Sequence, residues 1–159
     1  MKLSWRVELP IFALIVTMFV VAAVAWSYAP ERMPVHWNAA GEVDRWGGKF
    51  EGLLLVPLVA VGMYLLTIIL PMFDPGRGNY RNFPKAYNAI RISILVFLAA
   101  IYAIMLLTAF GHKVNVTMVV MFMLGGLFIV LGNYMSKIRP NWFVGVRTPW
   151  TLSSRLSWD

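Results

Sequence analysis

The residues best able to do chemistry crowd into one polar segment, residues 30–52, most of which reads MPVHWNAAGEVDRWGGKFEG. It holds Glu31, Glu42, Asp44 and Glu51, four of the chain's seven carboxylates, together with His36, Arg32, Arg45 and Lys49. An imidazole and two carboxylates at the spacing of His36, Glu42 and Asp44 could ligate a divalent cation, position a peptide or satisfy one another. A zinc site would need these donors to converge at roughly 2.0–2.2 Å. Spacing alone does not establish that, so the three are candidate ligands and no metal or other cofactor is assigned.

The same segment has hairpin character. VHWN precedes the small-residue turn AAG, EVDRW follows it, and Gly47 and Gly48 break the chain again. Gly41 suits a positive-φ turn position because it has no Cβ. Strand alternation then places Val35 and Trp37 on one face and His36 and Asn38 on the other, with Glu42 and Asp44 returning opposite the polar pair. Trp37 and Trp46 suit interfacial anchors.

The surroundings of this segment are apolar. Sixty per cent hydrophobic residues and a mean hydropathy of +0.70 over 159 residues exceed what a soluble domain of this size carries. Runs long enough to cross roughly 30 Å of hydrocarbon occur near residues 9–29, 53–73, 89–110 and 117–136. They predict an all-α integral membrane protein with four transmembrane helices in a single membrane domain, 1–159. Barrel strands would be about half as long and would alternate. The first run also has features of a signal peptide, since Lys2 and Arg6 precede it and AVA at 23–25 resembles a cleavage site; its length favours an uncleaved anchor.

Basic residues near helix ends set orientation. Lys2, Arg6, Arg77, Arg81, Lys85, Arg91, Lys137, Arg139, Arg147 and Arg155 lie on one side, and Arg32, Arg45, Lys49 and Lys113 on the other. Ten against four predicts both termini in the cytoplasm of a bacterial cell, with an outer loop at 30–52, an inner loop at 74–88 and an inner tail at 137–159. The outer side sums to zero and the inner side to +7, the whole net charge of the chain. The basic balance therefore reflects topology and attraction to anionic lipid, with no direct nucleic-acid partner expected.

Cysteine is absent, which excludes disulfides, thiolate metal sites and cysteine nucleophiles. Walker, GxGxxG, HExxH and GxSxG patterns are missing too, so no enzyme is expected and no catalytic residue is assigned. No Asp, Glu, His or Lys stands at mid-membrane, and Arg91 is close enough to the inner end of its helix to snorkel; both facts weigh against an ion-coupled transporter. Pro57 and Pro71 are expected at helix boundaries. Gly125, Gly126 and Gly132 are expected to allow close helix approach, with Asn133 hydrogen bonding across helices.

Inside, DPGRGNYRNFPKAYNAIR leads from the second run into the third as an interfacial elbow. The tail SKIRPNWFVGVRTPWTLSS has two X-Pro steps and a glycine, so it cannot be one helix. Its aromatic residues interleave with arginines, as in a segment lying in the headgroup layer. Thr151, Ser153 or Ser154 is the expected cap of any short helix that follows.

Two of these stretches resemble the SdpI family of bacterial membrane proteins, named for an immunity protein against the sporulation-delaying toxin. PVHWNAAGEVDRWGGK is similar to the family's N-terminal module of unknown function, and GNYMSKIRPNWFVGVRTPWTLSS to its Arg-Pro-Asn, Gly-x-Arg and Thr-Pro-Trp-Thr-Leu signature. FPKAYNAIR is also similar. The resemblance implies a membrane protein that neutralises or senses a secreted antimicrobial peptide and holds a cytoplasmic repressor at the membrane, with the bilayer itself as a further partner. It places a peptide-binding or structural motif at His36, Asn38, Gly41, Glu42 and Asp44. A partner-binding or structural motif falls at Arg139, Asn141, Trp142, Gly145, Arg147, Pro149 and Trp150. The chain departs from the pattern after TPWTLSS, where family members usually continue into further helices and this one runs RLSWD. The expectation is a C-terminally short form, a truncation, or one half of a homo-oligomer. The residues alone leave two other functions open, a small oligomeric transporter or channel and a membrane enzyme with an outer metal site.

Overall fold

The computed structural model describes residues 4–146, 148–154 and 156. Four long helices dominate it: α1 (Trp5–Ala25), α2 (Lys49–Phe73), α3 (Pro84–Ala109) and α4 (Val116–Met135). Each is long and apolar enough to cross a membrane. The chain is an all-α membrane protein of four spans. Between α1 and α2 a two-stranded antiparallel hairpin forms from β1 (Met33–Trp37) and β2 (Val43–Gly47). A 3-10 turn at Arg77–Arg81 precedes α3, and a short α5 (Pro149–Ser153) lies in the tail.

The helices begin earlier than hydropathy predicts. α1 runs from Trp5 to Ala25 rather than 9–29, and α3 starts at Pro84 rather than 89. Hydropathy marks where lipid contact starts, whereas the backbone ladder continues through any polar flank whose side chains find partners. Glu8 does so, as described below. Because α2 begins at Lys49, Pro57 stands two turns inside it and is buried, a correction to its predicted boundary position. Pro71 does fall in the last turn of α2.

α3 is the central helix, packing on α1, α2, α4, β1 and the 3-10 turn. Ile11, Ile15, Met18 and Ala22 of α1 meet Leu53 and Ala60 of α2 and Leu95 and Tyr102 of α3 in one core. Met33, fully buried, carries β1 into that core and ties the hairpin to the bundle. A second core sits at the opposite end, where Tyr80, Phe83, Ala86, Tyr87 and Ile90 close around Ile138 from the tail. Tyr80 and Tyr87 meet edge to face with centroids 5.1 Å apart.

α4 packs against α3 and leaves most of its surface exposed. Added Cβ atoms at Gly125, Gly126 or Gly132 would meet nothing within 4 Å. These glycines therefore do not mediate close helix approach within the chain, contrary to expectation. Asn133 is exposed on the same helix.

Candidate functional site

The hairpin turn is organised by Asn38. Its side-chain oxygen accepts from the backbone N–H groups of Ala40 and Glu42, both at 3.0 Å, and its amide donates to Glu42 Oε2 at 3.2 Å. Such side-chain mimicry of a turn is what short Asn side chains do well. Gly41 follows with φ +83°, the left-handed conformation predicted for it. A Cβ there would also come within 2.5 Å of Thr117 Oγ1 on α4, so the turn is pressed against the bundle.

The strands are not in simple register. Pro34 faces Trp46, His36 faces Arg45 and Trp37 faces Val43, with shifts on both sides of His36. These irregularities accompany a meeting of His36 Nδ1 and Asp44 Oδ1 at 2.6 Å on the exposed face. Arg45 donates to Glu51 at 2.6 Å, and Lys49 pairs with Glu31 at 3.0 Å. All four carboxylates of the segment are thus partnered inside it. His36, Asn38, Glu42 and Asp44 do come together, but as two pairs. No group of three His, Asp or Glu side chains converges among the described residues, so His36, Glu42 and Asp44 do not form a metal-ligand set here.

What the hairpin builds is a cavity of about 430 Å³ between itself and the α3–α4 turn. Pro34, Trp37, Val43 and Trp46 form one wall, and His112 and Lys113 stand on the other. Trp46 is half exposed at the rim. The α3–α4 wall is shaped by Gly111 at φ +85° and by Asn115, whose side chain accepts from Met118 N–H at 3.0 Å to cap α4. Sequence reasoning missed His112 and Lys113; the signal was topological, since the turn between the third and fourth spans emerges on the hairpin's side.

At the other end of the bundle the tail motif is a latch. Asp74, 1% exposed, accepts from Gly76 N–H at 2.6 Å and, through its other oxygen, from Tyr80 OH at 2.8 Å and Trp142 N–H at 2.9 Å. Asn141, also buried, accepts from Phe143 and Val144 N–H and donates to the carbonyls of Arg139 and Val144. Asn79 donates to the Pro140 carbonyl at 2.5 Å. Gly76 packs closely: a Cβ would lie 3.1 Å from the Asn141 Cα and 3.2 Å from the Pro140 oxygen, so a larger residue would press the tail outward by a few tenths of an ångström. The buried acceptors satisfy backbone N–H groups that no helix or strand serves.

Of the predicted inner residues, Asn141 is the hub and Trp142 contributes its N–H while its ring stays exposed. Gly145 takes φ +115°, and Pro149 and Trp150 open α5. Arg139 lends its carbonyl. Arg147 lies outside the described residues. α5 is capped not by Thr151, Ser153 or Ser154 but by Thr148, with Thr151 in the place of the usual acid: Thr151 N–H donates to Thr148 Oγ1 at 3.3 Å and Thr148 N–H to Thr151 Oγ1 at 2.9 Å. Asp74, Asn79 and Tyr80 were missed, because their partners in the tail lie 61 to 68 residues away.

A third cluster binds the helices together. Arg91 donates through Nη1 and Nη2 to the two oxygens of Glu8 at 2.8 and 2.9 Å, and through Nε to Thr67 Oγ1 at 3.2 Å. Tyr64 donates to Glu8 at 3.0 Å. Arg91 is fully buried, so it is clamped by α1 and α2 rather than snorkelling to water.

Two segments match known families. Residues 13–61, covering most of α1, the hairpin and half of α2, match a domain of unknown function (DUF1648), and residues 137–159 match the SdpI/YfhL protein family. The chain is 25% identical over 140 residues to Immunity protein SdpI of Bacillus subtilis (strain 168), covering 88% of the chain and 65% of that relative. It thus spans slightly less than two thirds of the relative's length. No solved structure matches.

Proposed function

The chain belongs to the SdpI family, and from that premise we propose that it is a non-enzymatic membrane immunity protein that intercepts a secreted antimicrobial peptide at its hairpin face. The observation that carries this is the cavity walled by Trp37 and Trp46. Because the hairpin's carboxylates are already paired, recognition rests on aromatic and apolar contact rather than on free negative charge. Paired tryptophans bury a large area at low cost in side-chain entropy, which suits them to an amphipathic peptide arriving at the membrane surface.

The excess of basic residues on the tail side orients the hairpin outward. At the cytoplasmic face the latch holds residues 138–144 against the bundle and leaves Trp142 and Trp150 exposed. Those rings are the surface offered to a cytoplasmic repressor. Coupling between the faces runs through α3, which touches both the hairpin and the 3-10 turn.

The test is crosslinking. A photoreactive derivative of the sporulation-delaying peptide, added to cells expressing the chain, is expected to label the hairpin and residues 110–115. Labelling confined to the lipid-facing helices, or none above that of cells lacking the chain, contradicts the proposal.

A further inference from the structure

A long apolar groove of about 530 Å³ runs between α3 and α4, lined by Ala89, Val96 and Ala100 on one side and by Met123, Gly126 and Tyr134 on the other. It lies along the α3–α4 seam, where the glycines of α4 leave open space that larger residues would fill. Ala89 to Ala100 and Met123 to Tyr134 each cover eleven residue steps, or roughly 16 Å of helix. That is about half of the roughly 30 Å hydrocarbon thickness. The groove therefore spans one leaflet, the one on the tail side, and is too short to seat a helix crossing the whole bilayer.

Its tail-side end is charged. Lys85 stands one turn before Ala89 on the same stripe of α3, and the Lys137 ammonium lies 4.6 Å from the centroid of the Tyr134 ring. Both lysines are exposed, and neither has an ion-pair partner among the described residues. Two cations at headgroup level above an apolar channel one leaflet long complement a single molecule in charge and in length. We propose that the α3–α4 groove is a binding site for one anionic phospholipid of the tail-side leaflet, with an acyl chain along the groove and the headgroup phosphate between Lys85 and Lys137.

The site is separate from the hairpin cavity and does not depend on the immunity role. Native mass spectrometry of the purified full chain, with phosphatidylglycerol or phosphatidylcholine of equal chain length added, tests it. The expected result is one retained phosphatidylglycerol in preference to phosphatidylcholine. Lys85→Gln and Lys137→Gln should each weaken phosphatidylglycerol about fivefold, as one headgroup-level cation does, and leave phosphatidylcholine unchanged. Gly126→Leu, which fills the groove from a helix position that a leucine favours, should lower retention of both lipids while the thermal midpoint stays put. Equal retention of the two lipids in wild type and lysine variants overturns the proposal. So does a dimer that Gly126→Leu dissociates, since a second copy would then occupy the groove.

Discussion

Arg91 and Glu8 stand 83 residues apart in the chain and meet fork to fork, two guanidinium nitrogens on two carboxylate oxygens. The pair joins the first turn of α1 to the second turn of α3, and Tyr64 and Thr67 of α2 complete it. Three helices are thereby fixed in depth relative to one another. A charge at this depth is tolerated because bidentate geometry and extra donors replace its lost hydration.

Breaking one partner should therefore cost far more than replacing both. Glu8→Ala leaves the Arg91 charge buried and is expected to destabilise the protein by roughly 3–5 kcal/mol. The double variant Glu8→Leu with Arg91→Met should recover most of that loss. Denaturation midpoints in detergent micelles measure both; a double variant as unstable as the single one would show that the pair does more than offset its own burial.

The tail latch makes a separate prediction. Asp74→Ala removes the acceptor of three hydrogen bonds, and each bond to a charged group is worth about 1.5–3 kcal/mol. Ile138, 1% exposed, shields the bond after Lys137 in the native protein. Trypsin is expected to cut there rapidly in the Asp74→Ala variant and slowly in wild type. Equal cleavage rates would mean that Asp74 does not hold the tail.

At Gly41 two effects can be separated. Alanine there must adopt a left-handed conformation, costing about 1–3 kcal/mol, and its Cβ also presses on Thr117. Gly41→Ala should lower the thermal midpoint, and adding Thr117→Ala should restore the steric part only. Full restoration would remove the backbone from the explanation.

Tyr102 offers a stabilising change. Its hydroxyl is buried in the α1–α2–α3 core and has no partner among the described residues, a cost on the order of 1–3 kcal/mol for a polar group. Tyr102→Phe keeps the ring and removes the orphan, so the thermal midpoint should rise. A fall would reveal a hydrogen bond that the hydroxyl makes in the membrane.

Much of this architecture is legible in the sequence because its signals are local. Four apolar runs of about twenty residues specify four spans, and Gly41 between VHWN and EVDRW specifies a hairpin that brings His36 to Asp44 and Asn38 to Glu42. What escapes is long in range. Nothing in the spacing of Glu8 and Arg91 says that they touch, so Arg91 reads as a snorkelling residue, and the start of α1 is placed four residues late. Asp74 reads as a turn former until Trp142 is folded against it. The hairpin cavity is invisible for the same reason, since its second wall, which includes His112 and Lys113, comes from the turn between α3 and α4.

The most direct measurement is a killing assay. Toxin-sensitive bacteria are challenged with the sporulation-delaying peptide while expressing the native chain, a Trp37→Ala/Trp46→Ala variant, an Asn38→Ala/Glu42→Ala/Asp44→Ala variant, or none. With membrane expression matched, the native chain should protect and both variants should lose most of that protection, the first by removing the cavity wall and the second by unfastening the turn that holds it. Protection that survives in both variants, or no protection by the native chain, would contradict the assignment of immunity to the hairpin face.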